Sequence, residues 1–273
     1  MNINKVKSEL KKKGYTVIHN HFSKKECSYI SKILDKNEKK KIKNKYKDKE
    51  FANTYDFLGQ SIIREAICLD DKIFNLVSNN RIYFLIKSIF NDQFIIDSST
   101  GSRPLKTKEN YLPVPHIDSH IPIKEFKNTM DVVIQVCIDN FSKENGAMSI
   151  WEKSHLSGKV CHKEKVNFKK YKKVQIEAKR GSLIIFLGQT WHQLGLNISG
   201  ERRWGILFHF RRWWLKPSKN YIYFFKKKFT KLSKIQKMML GYSSIVPLPF
   251  SKRAKTKIKL DSIEKIFSKA IKI

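Results

Sequence analysis

Cysteine is scarce in this chain, and the few cysteines present are far apart. The 273-residue sequence contains 4 cysteines and no CxxC pair. They are Cys27, Cys68, Cys137 and Cys161. This usage excludes a zinc cluster of closely spaced thiolates and a disulfide framework. It is typical of reduced thiols in a cytoplasm.

Long apolar runs are also missing. No uninterrupted apolar stretch approaches the roughly 20 residues that a transmembrane helix needs, and residues 1–14 are too charged for a signal peptide. The sequence therefore predicts a soluble, cytoplasmic protein.

Acidic residues are few relative to basic ones. The chain has 24 Asp and Glu against 56 Lys and Arg, a formal net charge of +32. Such a field attracts polyanions, anionic membrane surfaces and phosphorylated substrates. Lysine greatly outnumbers arginine, however, and is accompanied by abundant Asn and Ile, as an AT-rich genome produces. Dedicated phosphate surfaces recruit arginine, so the pattern favours composition bias over a dedicated polyanion surface.

The first third of the chain is predicted to be mainly helical. A strand at Tyr15–Ile18 follows a lysine-rich helix, and Ser23 with Glu26 forms a capping box that starts the next helix. The run from Lys36 to Lys49 has few apolar residues and predicts a solvated loop or a fraying helix end. Further helices are expected at Met1–Lys13, Ser61–Cys68, Asp71–Val77 and Arg81–Phe90.

From Gln93 onwards the pattern changes to short runs rich in Ile, Val and Phe, separated by turn residues. The expected strands are Phe94–Asp97, Val114–His120, Thr129–Ile138, Met148–Trp151, Val174–Ala178, Leu183–Leu187 and Arg203–Phe210. Several short strands of this kind indicate an antiparallel sandwich or barrel, of which the double-sheet jelly roll is one form. The predicted fold class is mainly β with flanking helices.

An HxD tripeptide offers half of a metal site. On a strand, His116 and Asp118 point the same way and present an imidazole and a carboxylate at one height. His192, 74 positions after Asp118, can supply a third ligand. Two histidines and a carboxylate on one face leave the opposite face of an octahedral metal open, as in non-haem Fe(II) oxygenases. Arg203, eleven positions further on, could bind a carboxylate.

Five motifs follow one another in this region. They are HID at 116–118, ENGAM at 144–148 with Ser-His at 154–155, GSLIIF at 181–186, Trp-His at 191–192 and Arg-Arg at 202–203. Their order and spacing resemble the phytanoyl-CoA dioxygenase family of 2-oxoglutarate-dependent oxygenases, over about Gly14 to Phe210. The resemblance implies a double-stranded β-helix (jelly roll, cupin-like) core at about 93–210 within a dioxygenase domain at 1–218. Residues 219–273 would form a basic helical extension packed on or beside that core.

The resemblance also assigns roles. His116, Asp118 and His192 would be the catalytic Fe(II) ligands, with 2-oxoglutarate as cosubstrate and O2 as oxidant. Arg203 would bind the far carboxylate of 2-oxoglutarate, in agreement with the family's spacing. Strand parity favours Arg203 over Arg202, because Arg203 shares its face with Gly205, where there is room for a ligand.

Other polar residues receive smaller roles. Gln135 stands where relatives often carry a tryptophan near the cosubstrate and is assigned a cofactor contact. His120 is expected at the rim of the site, and His155 is not placed on the metal. Lys106 and Tyr111, before the HxD, are candidates for contacts to substrate or cosubstrate.

The intact Asp118 implies hydroxylation rather than halogenation, because halogenating relatives have a small residue there. The expected reaction hydroxylates an unactivated C–H bond of a small or medium-sized metabolite and releases succinate and CO2. An anionic metabolite, such as a CoA thioester or a phosphorylated sugar, is one candidate. Two alternatives are an oxidative nucleic-acid demethylase, which the dispersed charge disfavours, and a non-enzymatic basic barrel that binds a membrane or a polyanion.

Segments near the C-terminus could contact a membrane surface. Tyr221–Leu240 and Ile258–Ile271 can both form amphipathic helices with lysines at headgroup level. Packing of these helices onto the barrel is the favoured interpretation, and contact with a membrane surface is the alternative. Substrate identity and oligomeric state are left open by the sequence.

Overall fold

The computed structural model describes residues 1–108, 112–119, 121 and 124–244. Its α-helices are α1 (Ile3–Lys13), α2 (Lys24–Lys43), α3 (Lys49–Asp56), α4 (Asp71–Asn75), α5 (Asn80–Phe90), α6 (Tyr221–Phe225) and α7 (Lys234–Met239). Its strands are β1 (Tyr15–Ile18), β2 (Gln60–Arg64), β3 (Phe94–Pro104), β4 (Asp131–Cys137), β5 (Ser149–Trp151), β6 (Lys173–Gln175), β7 (Leu183–Leu187), β8 (His192–Gln193) and β9 (Gly205–Arg212).

The strands form two antiparallel sheets. The large sheet has six strands in the order β1-β7-β4-β9-β3-β2, and the small sheet has three in the order β6-β5-β8. Five of the seven neighbouring pairs join strands that are not consecutive in sequence, as expected of a jelly roll. The predicted fold class, mainly antiparallel β with flanking helices, is confirmed.

The two faces of the large sheet serve different cores. In β4, Val132, Ile134 and Val136 enter the helix-side core, where helices α1 to α5 cover the sheet. Val133 and Cys137 point the other way, into the inter-sheet core. The inter-sheet core comprises Tyr15, Val133, Cys137, Phe141, Ala147, Met148, Ile150, Ile176, Ala178, Ile184 and Phe186. Because side chains alternate along a strand, polar residues between the apolar ones of this second face lie inside the jelly roll.

One prediction for the helical region is wrong, and for a second segment one of two alternatives is excluded. Ser61–Cys68 begins within strand β2 and ends in a short 3₁₀ helix, because Ser61 and Ile63 alternate as buried residues and pair with β3. The charged run after Lys36 begins as the end of a helix rather than as a loop, since α2 continues to Lys43. Glu38 is buried there and forms a 2.8 Å ion pair with Arg103, which ties the helix to the sheet.

The segment after β9 is less regular than the single helix predicted at Tyr221–Leu240. It is divided into α6, a 3₁₀ helix at Lys226–Lys231, and α7. Tyr221, Phe225 and Met239 are nevertheless buried in the helix-side core. The predicted helix at Ile258–Ile271 lies outside the described residues, and the division of the chain at residue 218 stays a prediction.

The described residues include no helix that is long and apolar enough to cross a bilayer.

Gly181 joins the start of the chain to β7. Its carbonyl accepts hydrogen bonds from the backbone N–H groups of His21 and Phe22, at 2.9 Å each. Its φ is +83°, and a Cβ at this position would lie 2.2 Å from the Phe22 carbonyl oxygen. Both the backbone conformation and the close contact therefore require glycine.

We expect Gly181→Ala to lower the free energy of unfolding by at least about 2 kcal/mol, because a positive φ and a backbone clash are both imposed on alanine. Gly59→Ala is the matched control: its φ is +61°, but nothing lies within 4 Å of the added Cβ. Left-handed strain alone should cost that variant about 1 kcal/mol. Urea unfolding measures both values, and equal losses would contradict a role for the Phe22 contact.

Candidate metal centre and arginine pocket

The HxD segment does not form the strand predicted at Val114–His120. His116 makes an isolated antiparallel bridge with His192 of β8, and Asp118 lies in a bend. The His116 N–H donates to the His192 carbonyl at 2.8 Å, and the His192 N–H donates to the His116 carbonyl at 3.0 Å. The two histidines are thus paired directly by their backbones.

Asp118 is positioned by the loop that precedes β8. The backbone N–H groups of Asp118 and Ser119 both donate to the Gly188 carbonyl, at 2.9 Å each. That loop is itself fixed to the rest of the fold, because the Trp191 N–H donates to Ser154 Oγ at 2.8 Å. All three predicted ligands therefore lie on two adjacent, mutually bonded segments.

Their side chains converge on one point. His192 Nε2 lies 3.5 Å from Asp118 Oδ2, and His116 Nε2 lies 3.9 Å from Asp118 Oδ1. One ligand atom from each of the three residues lies within 4.8 Å of the other two. Ligand atoms at metal–ligand distances of about 2 Å are spaced in this way around one ion.

Hydrogen bonds set the tautomers of both histidines. His116 Nδ1 lies 2.9 Å from the Val114 carbonyl, and His192 Nδ1 lies 3.0 Å from the Thr190 carbonyl. A carbonyl can only accept, so each Nδ1–H donates and each Nε2 keeps its lone pair for a metal. Burial lowers the pKa of His192 to about 4, against the opposing effect of Asp118. The His192 imidazole is therefore neutral at physiological pH, as a metal ligand must be.

The three residues differ in exposure. The side chain of His192 is 5% exposed and that of Asp118 16%, whereas that of His116 is 42% exposed. The cluster is therefore closed on the His192 side and open on the His116 side.

A fourth residue beside the cluster was not assigned a role from the sequence. His209 of β9 places its Nδ1 4.0 Å from Asp118 Oδ2. It points to the same face of the large sheet as Leu207, which packs on the inter-sheet core. The alternation that separates Arg203 from Arg202 also includes His209, so strand parity could have identified it.

Arg203 is almost completely buried, at 1% exposure. Its Nη2 donates to the Gly146 carbonyl at 2.8 Å, and its guanidinium carbon lies 4.2 Å from the centre of the Phe141 ring. Its Nε is buried without a hydrogen-bond partner. Burial lowers the pKa of Arg203 to about 10, so the group remains a cation at neutral pH. A buried cation with a free donor can bind a carboxylate.

Arg202 lies on the opposite side of the chain. It forms ion pairs with Asp35 and, at 3.5 Å, with Asp139, and its side chain is 44% exposed. The next residue, Trp204, is fully buried in the helix-side core. The two adjacent arginines thus face different surroundings, as parity predicted.

Gln135 and Phe141, the ring against which Arg203 packs, both lie over Gly205. A Cβ on Gly205 would lie 2.8 Å from Phe141 Cζ and 3.2 Å from Gln135 Nε2. The room expected over Gly205 is therefore occupied by these two side chains. Gln135 Oε1 is buried without a hydrogen-bond partner. Unsatisfied buried polar atoms on both Arg203 and Gln135 are what a site for a small polar ligand would contain.

The remaining candidates lie elsewhere or cannot be described. His155 is buried, and its Nε2 lies 3.1 Å from the Lys11 carbonyl at the end of α1, away from the metal cluster. Lys106 packs at the Gly200 turn. His120 and Tyr111 lie outside the described residues.

Solved structures with the same fold include enzymes that depend on α-ketoglutarate and enzymes solved with iron. The epimerase SnoN of nogalamycin biosynthesis, solved in complex with Fe3+, α-ketoglutarate and nogalamycin RO, is 14% identical, with a TM-score of 0.58 over 77% of this chain and 83% of that one. The carbocyclase SnoK of the same biosynthesis is 13% identical, with a TM-score of 0.57 over 84% and 90%. EctD from S. alaskensis, solved with bound Fe, is 14% identical, with a TM-score of 0.59 over 80% and 79%.

A search of curated proteins gives no match. The model of the family described as Phytanoyl-CoA dioxygenase (PhyH) matches residues 10–205, which is more than half of the chain. The match spans the HxD segment, β8 and the two arginines. Iron and 2-oxoglutarate are thereby the cofactor and cosubstrate of this protein, and His116, Asp118 and His192 form a cluster that could hold a metal ion. The chain belongs to the phytanoyl-CoA dioxygenase family and is a 2-oxoglutarate-dependent oxygenase.

Proposed function

We propose that this oxygenase hydroxylates an unactivated C–H bond of a small or medium-sized metabolite, with His116, Asp118 and His192 as its iron ligands. The observation that carries the proposal is the convergence of two imidazole Nε2 atoms and one carboxylate within 4.8 Å. Two histidines and one carboxylate can occupy one face of Fe(II) and leave three positions for cosubstrate and oxygen. When bound, iron and 2-oxoglutarate supply oxidative decarboxylation: 2-oxoglutarate, O2 and R–H become succinate, CO2 and R–OH.

The presence of Asp118 in the ligand set supports hydroxylation over the other oxidations that a site of this kind can catalyse. Asp118 is held by its backbone N–H against Gly188 and has both oxygens turned towards the histidines. A carboxylate ligand here leaves no protein-side position for a halide. It would also offset one of the two positive charges of a bound Fe(II).

Arg203 is proposed to bind the far carboxylate of 2-oxoglutarate. The guanidinium is buried, fixed by Gly146 and Phe141, and has an unused Nε donor. Gln135 lies beside it, and its amide can turn to present Nε2 as a donor to the same group. Burying an unpaired cation costs free energy, which an anionic ligand would offset.

The substrate is proposed to approach from the side of His116. This ligand is the exposed one, whereas His192 is enclosed by the fold. Behind the cluster, Ile117, Trp151 and Trp191 form a small apolar core that keeps water from the rear of the site. Exclusion of water there favours oxidation of the substrate over side reactions.

Turnover without substrate tests the oxygenase reaction directly. We expect anaerobically reconstituted protein with Fe(II) and 2-oxoglutarate to form succinate slowly after O2 is admitted, because such enzymes turn over without their substrate. His116→Ala should lose this succinate. Incubation with a metabolite extract under 18O2 should yield a product that has gained one labelled oxygen. Succinate formation with no labelled product, but with isomerised or dehydrogenated ones, would contradict hydroxylation.

Metal binding tests the ligand set independently of activity. We expect His192→Ala to weaken Fe(II) affinity by more than about 100-fold, because even residues that only orient ligands alter affinity by 10–100-fold. The measurement is anaerobic titration followed by the charge-transfer absorbance with 2-oxoglutarate. His162→Ala is the control, since His162 is exposed and lies near His116 without belonging to the cluster. Equal losses in both variants would refute the ligand assignment.

The adjacent arginines provide a matched pair for cosubstrate binding. We expect Arg203→Lys to raise the KM for 2-oxoglutarate by roughly 10- to 100-fold, since hydrogen bonds to charged groups contribute about 1.5–3 kcal/mol. Arg202→Lys should leave this KM unchanged, because Arg202 pairs with Asp35 on the opposite side. The measurement is succinate formation against 2-oxoglutarate concentration. A larger effect from Arg202→Lys would overturn the assignment.

A further inference from the structure

The chain has a long segment without acidic residues. No aspartate or glutamate occurs between Glu201 and Asp261, whereas lysines and arginines recur throughout it. The described part of this segment contains β9, α6 and α7. Its positive charge is therefore not balanced by its own sequence, and only residues from other elements can neutralise it.

Four large aromatic side chains are exposed in the same segment. Trp213 is 42% exposed, Trp214 52%, Tyr223 62% and Phe224 54%. A groove of about 500 Å³ beside them is lined by both tryptophans, Lys216, Tyr221 and Ile222. The Phe224 ring lies 6.3 Å from the Tyr221 ring, which connects the second pair of aromatics to this groove. Lys216 lines the groove, and Lys227 follows Phe224 by three positions in the sequence. We name the four aromatics and these two lysines the aromatic–lysine patch.

The exposed aromatics stand on a firmly packed base. Tyr221 and Phe225 of α6 are buried in the helix-side core, and the Tyr221 hydroxyl lies 3.0 Å from Ser99 Oγ. Tyr223 and Phe224, between them in sequence, point outwards. A short helix anchored on one side thus presents rigid aromatic side chains to solvent on the other. Contiguous apolar surface of this kind marks an interaction site.

The arginines of β9 have partners inside the protein, whereas Lys216 and Lys227 are exposed at the surface. Arg211 forms ion pairs with Asp97 at 3.1 Å and Asp131 at 3.0 Å. Arg212 donates to the backbone carbonyls of Lys127 and Thr129, at 2.9 Å each. Both guanidinium groups are occupied inside the protein, so the exposed cations among the described residues after Gly205 are lysines. Lys216 and Lys227 are exposed.

From this arrangement we propose that the aromatic–lysine patch docks the enzyme on an anionic lipid membrane surface. Tryptophan and tyrosine prefer the interface between headgroups and acyl chains, and lysines beside them attract anionic headgroups. Charge complementarity selects the anionic surface, and the exposed Phe224 requires an apolar layer that a headgroup region provides. Nucleic acid fits less well, because the arginines that would bind phosphates bidentately are engaged elsewhere. This docking does not depend on the proposed reaction.

Vesicle binding of the full chain tests the proposal. We expect cosedimentation with vesicles of phosphatidylcholine and phosphatidylserine, and about tenfold less with phosphatidylcholine alone. The double variant Tyr223→Ala/Phe224→Ala should bind the anionic vesicles about tenfold more weakly, because its apolar contact is lost. Lys216→Gln/Lys227→Gln should weaken binding to a similar extent at low salt and less at high salt.

Matched control variants distinguish binding by the aromatic–lysine patch from binding caused by the overall positive charge of the protein. Tyr46 and Phe57 are 86% and 77% exposed but lie far from the patch in sequence, so Tyr46→Ala/Phe57→Ala should bind vesicles normally. Lys39→Gln/Lys40→Gln on α2 removes the same charge from another exposed surface and should have little effect. Equal losses in patch and control variants would overturn the proposal. Retention on single-stranded DNA that is lost in the patch variants, without vesicle binding, would replace lipid by nucleic acid and also overturn it.

Discussion

The backbone pairing of His116 with His192 is the constraint on which the candidate site depends. The HxD segment is not part of either sheet, so these two hydrogen bonds and the Gly188 carbonyl hold it against β8. Neighbouring carbonyls then fix each Nδ1–H and turn each Nε2 inwards. Backbone geometry therefore sets the direction of both imidazole side chains. Asp118, two positions after His116, is positioned by the same segment. Such preorganisation lowers the cost of gathering ligands around an ion.

The alternation of side chains in β4 and β9 decides where polar groups can be buried. One face of the large sheet supplies apolar residues to the helix-side core, and the other carries Gln135 and His209 into the jelly roll. Arg203, two positions before the start of β9, continues this second face and is buried as a cation. Desolvation makes this burial unfavourable, which is why the pKa of Arg203 is lowered to about 10. If Arg203 binds the cosubstrate as proposed, the dianion would restore the missing charge balance and thereby also stabilise the fold.

The sequence was most informative where local and tertiary signals agree. The capping box of Ser23 and Glu26, the strand Leu183–Leu187 and the inward side of Arg203 were all predicted correctly. Ser61–Cys68 was assigned the wrong structure, because its pairing with β3 overrides helix propensity and cannot be seen locally. The HxD segment was expected in a strand, yet one bridge to a distant residue suffices to align it. Contacts between residues far apart in sequence, such as His209 with Asp118, are the information that a single sequence lacks.

The distribution of arginine and lysine explains how a net charge of +32 coexists with a compact fold. Arginines form the ion pairs with buried acidic residues: Arg103 pairs with Glu38, and Arg211 pairs with Asp97 and Asp131. The excess positive charge is consequently borne by lysines, whose flexible side chains keep their ammonium groups in water. Salt screens such charges beyond about 8 Å at physiological ionic strength, so the total charge matters less than local clusters. A surface where unneutralised lysines adjoin exposed aromatics can therefore bind selectively, while the rest of the basic surface contributes mainly solubility.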